Sequence, residues 1–507
     1  MGEGIMGKDS AVPSSGGAGE DAATRGAGER PASLTDAIAA SQALPPWMSA
    51  RGVPTVLHWI VFALVVAGLV YGGYRAPVMM LTGLKVFVWS LFFVIVCWRF
   101  GLAFAGWMGR LSPDKRPELE DIDEDLPVYS VLVPLRDEAN MMAQLAASLG
   151  ALDWPADRLE ILLLVEADDT ATREAVQKAA FPPAARLLSV PPGQPLTKPR
   201  ALNFGLSRAR GDYIVIYDAE DRPHPGQLRA AHAALASGGG WAAAVQAPLY
   251  ASNGAGSWIA AHWALEYRVQ FGLVIPALAR IGHPVMLGGT SNHFRRTSLL
   301  AAGGWDAWNV TEDADLGVRF ARLGGAVRSI GAPTYEAAPE TYGVWFRQRT
   351  RWIKGFMQTW LVCMRRPFSL IGELGAMRWI SLQLTLMGAI LSAFLYGPMT
   401  LLVLLGLLFP QLGPEVVSFA LFGLGWASGA LTEVLAPGRW SFSRCLAILS
   451  RPLYWPLQTF AALNAFYGLL IKPSFWAKTP HWPDASDETP AWPPGSSRFP
   501  SSPPSRA

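Results

Sequence analysis

Apolar runs long enough to cross a bilayer bracket a middle stretch of roughly 220 residues that is not apolar, and this limits the chain more than any other feature. Leu57 to Gly73 reads LHWIVFALVVAGLVYGG, close to the ~17 to 25 residues that a spanning helix needs. A second run, from about Val78 to Trp98, has Lys85 near its start, where a long side chain can reach back to the interface. Two transmembrane helices are therefore expected within 55–107. Apolar runs return at about Trp379 to Phe409, interrupted by Gly397-Pro398, then at Val416 to Ala436 and Leu446 to Ile471. These give about three more helices within 379–472, and about five in all. Arg99, Arg110, Lys115 and Arg116 follow the second run, whereas the loop between the first two holds only Arg75. That excess of positive charge puts the N-terminus and the segment after Arg99 in the cytoplasm. Arg439, Arg444 and Arg451 ask for the same side before the last run, and Lys472 and Lys478 ask for it after, so the side of the C-terminus stays open.

Composition agrees with a membrane component: 51% of residues are apolar and 16% charged, where an ordinary soluble chain has about 25% charged. A net charge of +3, without a long basic tract, gives no reason to expect nucleic acid as a partner. Cys97, Cys363 and Cys445 lie far apart, without zinc or disulfide spacing, and read as small buried hydrophobes. Residues 1–50, rich in Gly, Ala and Ser, lack a signal-peptide pattern and are expected to form a disordered, uncleaved tail. The Pro/Ser-rich segment 473–507 is too short for another domain.

From 126 to 345 short apolar runs alternate with longer helix-compatible stretches, the pattern of a soluble α/β domain. VYSVLVPL, LEILLLVE and DYIVIYDAED each read as a buried strand, and the last two deliver acidic residues at their C-terminal ends, where an open parallel sheet binds ligands. Residues 346–378 interleave Arg347, Arg349, Arg351, Lys354, Arg365, Arg366 and Arg378 with Trp and Phe, as amphipathic helices at a membrane surface would.

Four constellations in this region can carry chemistry. Asp218, Glu220 and Asp221, in IVIYDAEDRPHP, could converge on one hard cation, Mg²⁺ or Mn²⁺, or could simply be a solvated acidic turn before Pro223 and Pro225. Glu166, Asp168 and Asp169 end a strand, where carboxylates could accept from a ribose or base, or could cap the helix starting at Thr170. Between them, Lys198 and Arg200 precede a helical stretch whose positive end would attract phosphate. Glu312, Asp313 and Asp315, in NVTEDADLGVRFARLGG, could supply a base for an acceptor hydroxyl, and Thr311 could equally cap a helix with acids in its first turn. Gln348, Arg351 and Trp352 form Q-x-x-R-W: a planar fork for diphosphate, a neutral amide, and a flat face for a sugar ring. The same residues would suit a lipid-facing interfacial helix.

In order and rough spacing these groups resemble the processive membrane glycosyltransferases of family 2, the cellulose synthase and hyaluronan synthase type. The resemblance covers 126–360 and implies a GT-A-type, Rossmann-like α/β catalytic domain, cytoplasmic and inserted between the transmembrane helices of a multi-pass inner-membrane protein. It implies that Asp168 and Asp169 contact the nucleoside, that Asp218 with Glu220 or Asp221 holds the metal, and that Lys198 helps bind the donor. It makes Asp313 the general base beside Glu312. Gln348 and Arg351 would hold diphosphate and Trp352 the acceptor sugar, joined loosely by Asn292 and His293 of LGGTSNHFRR. The implied reaction is inverting transfer from a UDP-sugar to a β-linked polysaccharide, with membrane lipids around the spans. D-A-E-D in place of D-x-D leaves the second metal ligand open, and the few spans suggest a second copy or an accessory export subunit as partner. The alternatives are single addition to a glycolipid or other short acceptor, and a transporter or scaffold carrying a degenerate transferase domain.

Overall fold

The computed structural model describes residues 44–111, 126–237, 241–409, 411 and 416–475. Most of the tails expected at the two ends, together with Lys115, Arg116 and Lys478, lies outside the described residues.

The α/β stretch forms a mixed sheet. β1 (Tyr129–Leu135), β2 (Leu159–Glu166), β3 (Ala185–Val190) and β4 (Tyr213–Ile216) lie parallel, in the spatial order β3-β2-β1-β4. YSVLVPL and LEILLLVE are buried along nearly their whole length, as a strand covered on both faces must be. After β5 (Arg222–Pro223), β6 (Ala242–Gln246) and β7 (Leu249–Ala251), the strand β8 (Asn292–Arg295) inserts antiparallel between β4 and β6. β9 (Ala326–Ser329) completes the seven-stranded order β3-β2-β1-β4-β8-β6-β9. β10 (Thr334–Glu336) joins β5 and β7 in a three-stranded side sheet. The antiparallel β8 departs from the purely parallel sheet that the alternation suggested; a four-residue strand carries too little pattern to reveal its direction.

Side chains alternate between two cores. Leu132, Leu162, Leu164, Ile214 and Ile216 face Phe204, Trp305 and Phe320, while Val131, Val133, Ile161, Leu163 and Val215 face Met141, Leu145 and Trp154. The first core runs on without a break into Leu102 and Ala103 of the helix Pro77–Leu111 and into Phe271, Leu273 and Val274. The sheet domain is thus packed directly on an apolar helix that precedes it.

Among the described residues, four helices are long and apolar enough to cross a membrane: Val56–Arg75, Pro77–Leu111, Ala376–Leu408 and Val416–Leu435. The first has no buried residue at all. The run expected at Leu446 to Ile471 instead divides into Phe442–Leu449 and Arg451–Ile471, with Pro452 in the first turn of the second helix. Arg451–Ile471 carries Arg451, Gln458 and Asn464 and is not among the four. The amphipathic stretch begins earlier than expected, as the helix Tyr342–Cys363, followed by Pro367–Leu374.

Residues 44–50, counted within the expected N-terminal tail, pack against the sheet domain. Asp306 accepts from Ser49 Oγ (2.8 Å), the Ala50 amide (2.5 Å) and the Trp308 amide (3.1 Å). Arg365 donates to the carbonyls of Pro46 (2.7 Å), Ser49 (2.7 Å) and Arg51 (3.1 Å). Asp306→Ala leaves three donors without their acceptor and should cost about 1–3 kcal/mol. A lower melting temperature, with faster protease cleavage between Leu44 and Arg51, is the expected readout.

Candidate active site

A cavity of about 460 Å³ opens at the C-terminal ends of β1 and β4, where the parallel strands stop and β8 runs the other way. Asp218 and Glu220 reach its wall from the turn after β4. Lys198 enters from the first turn of the helix Lys198–Leu206; its Nζ lies 2.5 Å from Asp218 Oδ1 and donates to the Gly289 carbonyl at 2.7 Å. Glu312 and Asp313 open the helix Glu312–Arg322 on another wall. Gln348, Arg351 and Trp352 come from the helix Tyr342–Cys363, whose Gly355 fits against Thr311 with no room for a side chain.

Charge in this cavity is crowded. Burial pushes the Glu312 carboxyl up to about 7, with Asp313 adding to the rise and Lys198 and Arg351 opposing it. Asp313 is raised as well, chiefly by burial, against a hydrogen bond from the Ala314 amide and the charges of Lys198 and Arg351. Burial alone would lower the Lys198 ammonium, but Asp218 and Glu312 outweigh it and the net shift is upward. Lys198 therefore stays charged as the cation between the turn after β4 and the acids of the Glu312–Arg322 helix.

The remaining expected residues sit elsewhere. Asp221 lies beneath the cavity wall, 0% exposed; its Oδ2 accepts from the Asp218 amide (2.6 Å) and from Thr290 Oγ1. Burial, then Asp218, Glu220 and Glu336, raise its pKa well above the usual carboxylate range. Asp169 caps the helix Thr170–Lys178 by accepting from the Thr172 amide (3.0 Å) and also accepts from the Asp137 amide (2.6 Å), as the capping alternative foresaw. Asp168 is exposed, 3.6 Å from Arg136, and does not line the cavity. Arg200 is buried against Glu166 at 2.5 Å and donates to the Pro191 carbonyl, so its charge is spent inside the domain. His293 is also internal: Nδ1 meets Tyr129 Oη (2.7 Å), Nε2 meets Gln227 Oε1 (3.2 Å), and burial lowers its pKa to about 3. Asn292 donates to the Gly288 carbonyl and, like His293, is not among the residues that line the cavity.

Several cavity residues went unnoticed in the sequence. Glu266 and Tyr267, with Trp263 buried behind the wall, belong to the helix Trp258–Val269, which runs through a π-helical turn at Gln270–Val274 into Ile275–Arg280. Trp263 Nε1 donates to Gln348 Oε1 at 2.9 Å, and the Tyr267 ring stacks 6.0 Å from Trp352. Beyond Gln348 the cavity continues between helices, lined by Tyr396, Ser428, Thr432, Glu433, Arg451 and Gln458. Lone acids in apolar surroundings, Glu266 in WIAAHWALEYRV and Glu433 in LFGLGWASGALTEVL, were the available signal.

Hard oxygen donors are present for a divalent cation, and Asp221 Oδ1 is buried without a hydrogen-bond partner. No three acidic, His or Cys side chains among the described residues are already gathered around one point. The donor set therefore fits a cation in kind, with Lys198 now holding the place next to Asp218.

The α/β fold, with its mixed sheet and an acidic turn after the fourth strand, is GT-A-like. Residues 130–289 match the family described as Glycosyl transferase family 2, and residues 213–413 that described as Glycosyl transferase family group 2, so this stretch is similar to family 2 glycosyltransferases. It is 27% identical over 270 residues to the "Probable glycosyltransferase YdaM" of Bacillus subtilis, covering 52% of this chain and 64% of that one. It is 24% identical over 394 residues to the "Beta-monoglucosyldiacylglycerol synthase" of Synechocystis, covering 73% and 79%. It is 28% identical over 260 residues to the "Cellulose synthase catalytic subunit [UDP-forming]" of Komagataeibacter sucrofermentans, covering 48% and 32%. The chain thus spans under two thirds of the length of YdaM and about a third of the cellulose synthase subunit.

Because Thr311 is buried and its amide donates to Asn309 Oδ1 (3.0 Å), it cannot swing aside for a methyl group at Gly355. Gly355→Ala should cost about 1–3 kcal/mol through overpacking. The melting temperature should fall, and UDP should bind more weakly in calorimetry as the two walls part.

Proposed function

We propose that this chain is a membrane-inserted, inverting glycosyltransferase that passes a sugar from a UDP-sugar to a growing β-linked polysaccharide. The observation that carries this reading is convergence: Lys198, Asp218, Glu220, Glu312, Asp313, Gln348, Arg351 and Trp352, drawn from four separate stretches, line one cavity. The name of the cellulose synthase relative, UDP-forming, supports the donor and the polymer. An apolar helix with no buried residue supports insertion in a bilayer, since water would solvate it poorly. The basic loops favour the inner membrane with the catalytic domain in the cytoplasm.

In this reading Asp313 takes the proton of the acceptor hydroxyl as that oxygen attacks the anomeric carbon, with UDP leaving from the opposite face. Glu312 lies beside it and tunes its basicity. Arg351 and Lys198 neutralise departing diphosphate with Gln348 hydrogen-bonded beside them, and Trp352 orients the acceptor ring. Asp218 and Glu220 would hold Mg²⁺ or Mn²⁺, which when bound supplies further charge for the diphosphate; Asp221 braces them from below. Of the acidic pair after β2, Asp168 is the one open to a nucleoside. Asn292 and His293 hold β8 in place instead of touching sugar.

A second reading, single transfer to a lipid acceptor, is favoured by one observation: the match to the diacylglycerol-named relative extends over 79% of its length. Mass analysis of the product formed from one labelled UDP-sugar separates the two, by a ladder of lengths or a single addition.

Asp313→Asn should lower transfer roughly 10²- to 10⁴-fold while UDP still binds. Near-normal turnover would reject Asp313 as the base. Because burial raises the Asp313 carboxyl, kcat/KM should rise with pH along a limb displaced upward from the ordinary carboxylate range as the base loses its proton. Glu312→Gln removes the neighbouring negative charge and should move that rising limb to lower pH; an unmoved limb would separate the two groups.

A further inference from the structure

Helix Trp258–Val269 grips the helix Tyr342–Cys363 along one face. Trp263, Glu266 and Tyr267 stand at i, i+3 and i+4, so their side chains share a stripe. Across from them, Trp263 Nε1 holds Gln348 Oε1 (2.9 Å), Glu266 Oε2 holds Arg349 Nη2 (2.5 Å), and Tyr267 stacks near Trp352 with ring planes 27° apart. Two of the three Q-x-x-R-W residues are therefore fixed by direct contact, and Arg349, lying between them in sequence, is fixed by Glu266. The Arg349 guanidinium in turn sits over the Trp352 ring, 4.8 Å from its centre.

Glu266 also faces the other way. Its Oε1 accepts from Arg451 Nη1 (3.2 Å) and Gln458 Nε2 (3.1 Å), and Oε2 from Tyr454 Oη (3.3 Å), all on the helix Arg451–Ile471. Arg451 is shared with Glu433 of Val416–Leu435. One carboxylate thus joins the helix presenting Gln348, Arg351 and Trp352 to two helices beyond the sheet domain. The Glu266 side chain is 24% exposed and lies on the cavity wall beside Gln348 and Arg349, within reach of whatever occupies the cavity.

We propose that Glu266 is a positioning residue for the transfer reaction: through Arg349 it sets the placement of Trp352, and through Arg451 and Gln458 it ties that placement to the neighbouring helices. The proposal rests on the sugar-transfer reading of this cavity. Loss of the carboxylate charge frees Arg349, lets the Trp352 ring turn, and leaves Arg349 and Arg451 facing each other. Donor contacts at Asp218 and Lys198 lie on the far wall and are not touched by the change.

The test uses the full chain in lipid nanodiscs, with UDP plus Mn²⁺ as the binding probe. Turnover is read as UDP release from whichever of UDP-glucose, UDP-galactose and UDP-N-acetylglucosamine supports it. Glu266→Gln should lower kcat about 10- to 100-fold, the penalty of a misplaced reacting group, while donor KM and UDP affinity change less than about threefold. Glu266→Asp should recover part of the loss. Arg349→Gln should match Glu266→Gln, and the double variant should be no worse than either, since both remove one link. If Glu266→Gln does not fold, Arg349→Lys, which keeps charge but loses the fork, should show the same kcat-only loss in milder form. Turnover within about twofold of the unmodified chain, or losses that multiply in the double variant, would overturn the proposal. Asp313→Asn is the control on the underlying reading. Should it match the unmodified chain, sugar transfer at Asp313 fails, and the positioning role is then judged by hydrogen exchange over Trp345 to Phe356. Faster exchange there in Glu266→Gln but not in Glu266→Asp sustains it, and unchanged exchange in both overturns it.

Discussion

Like charge held in one low-dielectric cavity is the constraint on which the rest of this site depends. Asp218, Glu220 and Asp221 at the end of β4, Glu336 from β10, and Glu312 and Asp313 from a helix start all act on the same small space. Burial of so many carboxylates is tolerated in two ways: some are pushed toward their neutral form, and Lys198 stands among them as a cation. A site balanced like this favours a ligand that brings positive charge, and the ion pair of Lys198 with Asp218 meets part of that demand from within the chain.

Topology explains why those groups meet. β1 and β4 end side by side, so the turns after them share one edge of the sheet. β8 then reverses direction next to β4, and its preceding loop brings Gly289 and Thr290 back to the same edge, where Lys198 and Asp221 bind them. Open α/β sheets bind ligands where neighbouring connections diverge, and the reversal at β8 makes such a point. The fourth wall is not part of the sheet at all. It comes from Tyr342–Cys363, kept at its close approach by Gly355 against Thr311.

The parts of this arrangement that were legible in the sequence are those whose chemistry is concentrated in a short motif. Asp218 with Glu220, Glu312 with Asp313, and Gln348 with Arg351 and Trp352 stand out because polar groups interrupt apolar runs at fixed spacing. Asn292 and His293 sit beside each other among the buried residues of β8, and nothing local in the sequence marks that burial. Asp169 carried equal signals for a ligand and for a helix cap, and the amide of Thr172 decided it. Glu266 and Glu433 were invisible as partners, since an isolated acid in an apolar helix does not say which distant arginine will meet it. The division of the last apolar run had a local cause in Ser450-Arg451-Pro452, where Pro452 takes a first-turn position that suits the start of a new helix.

The boundary between soluble domain and apolar helices, so plain in hydropathy, is not a boundary in the packed molecule. The core under β1 and β4 includes Leu102 and Ala103 of Pro77–Leu111, and the cavity that begins at Asp218 continues to Tyr396, Glu433 and Arg451. Residues 126–345 taken alone would lose one wall of the site, with Gln348, Arg351 and Trp352, and would expose the underside of the sheet where Leu273 and Val274 meet the preceding helix. The acidic residues supply charge, but the helices around them decide how dry the cavity is and how closely the walls approach. The acidic end of the cavity at Asp313 and the seating of the apolar helices are therefore parts of one continuous structure, and a change that loosens either will be felt at the other.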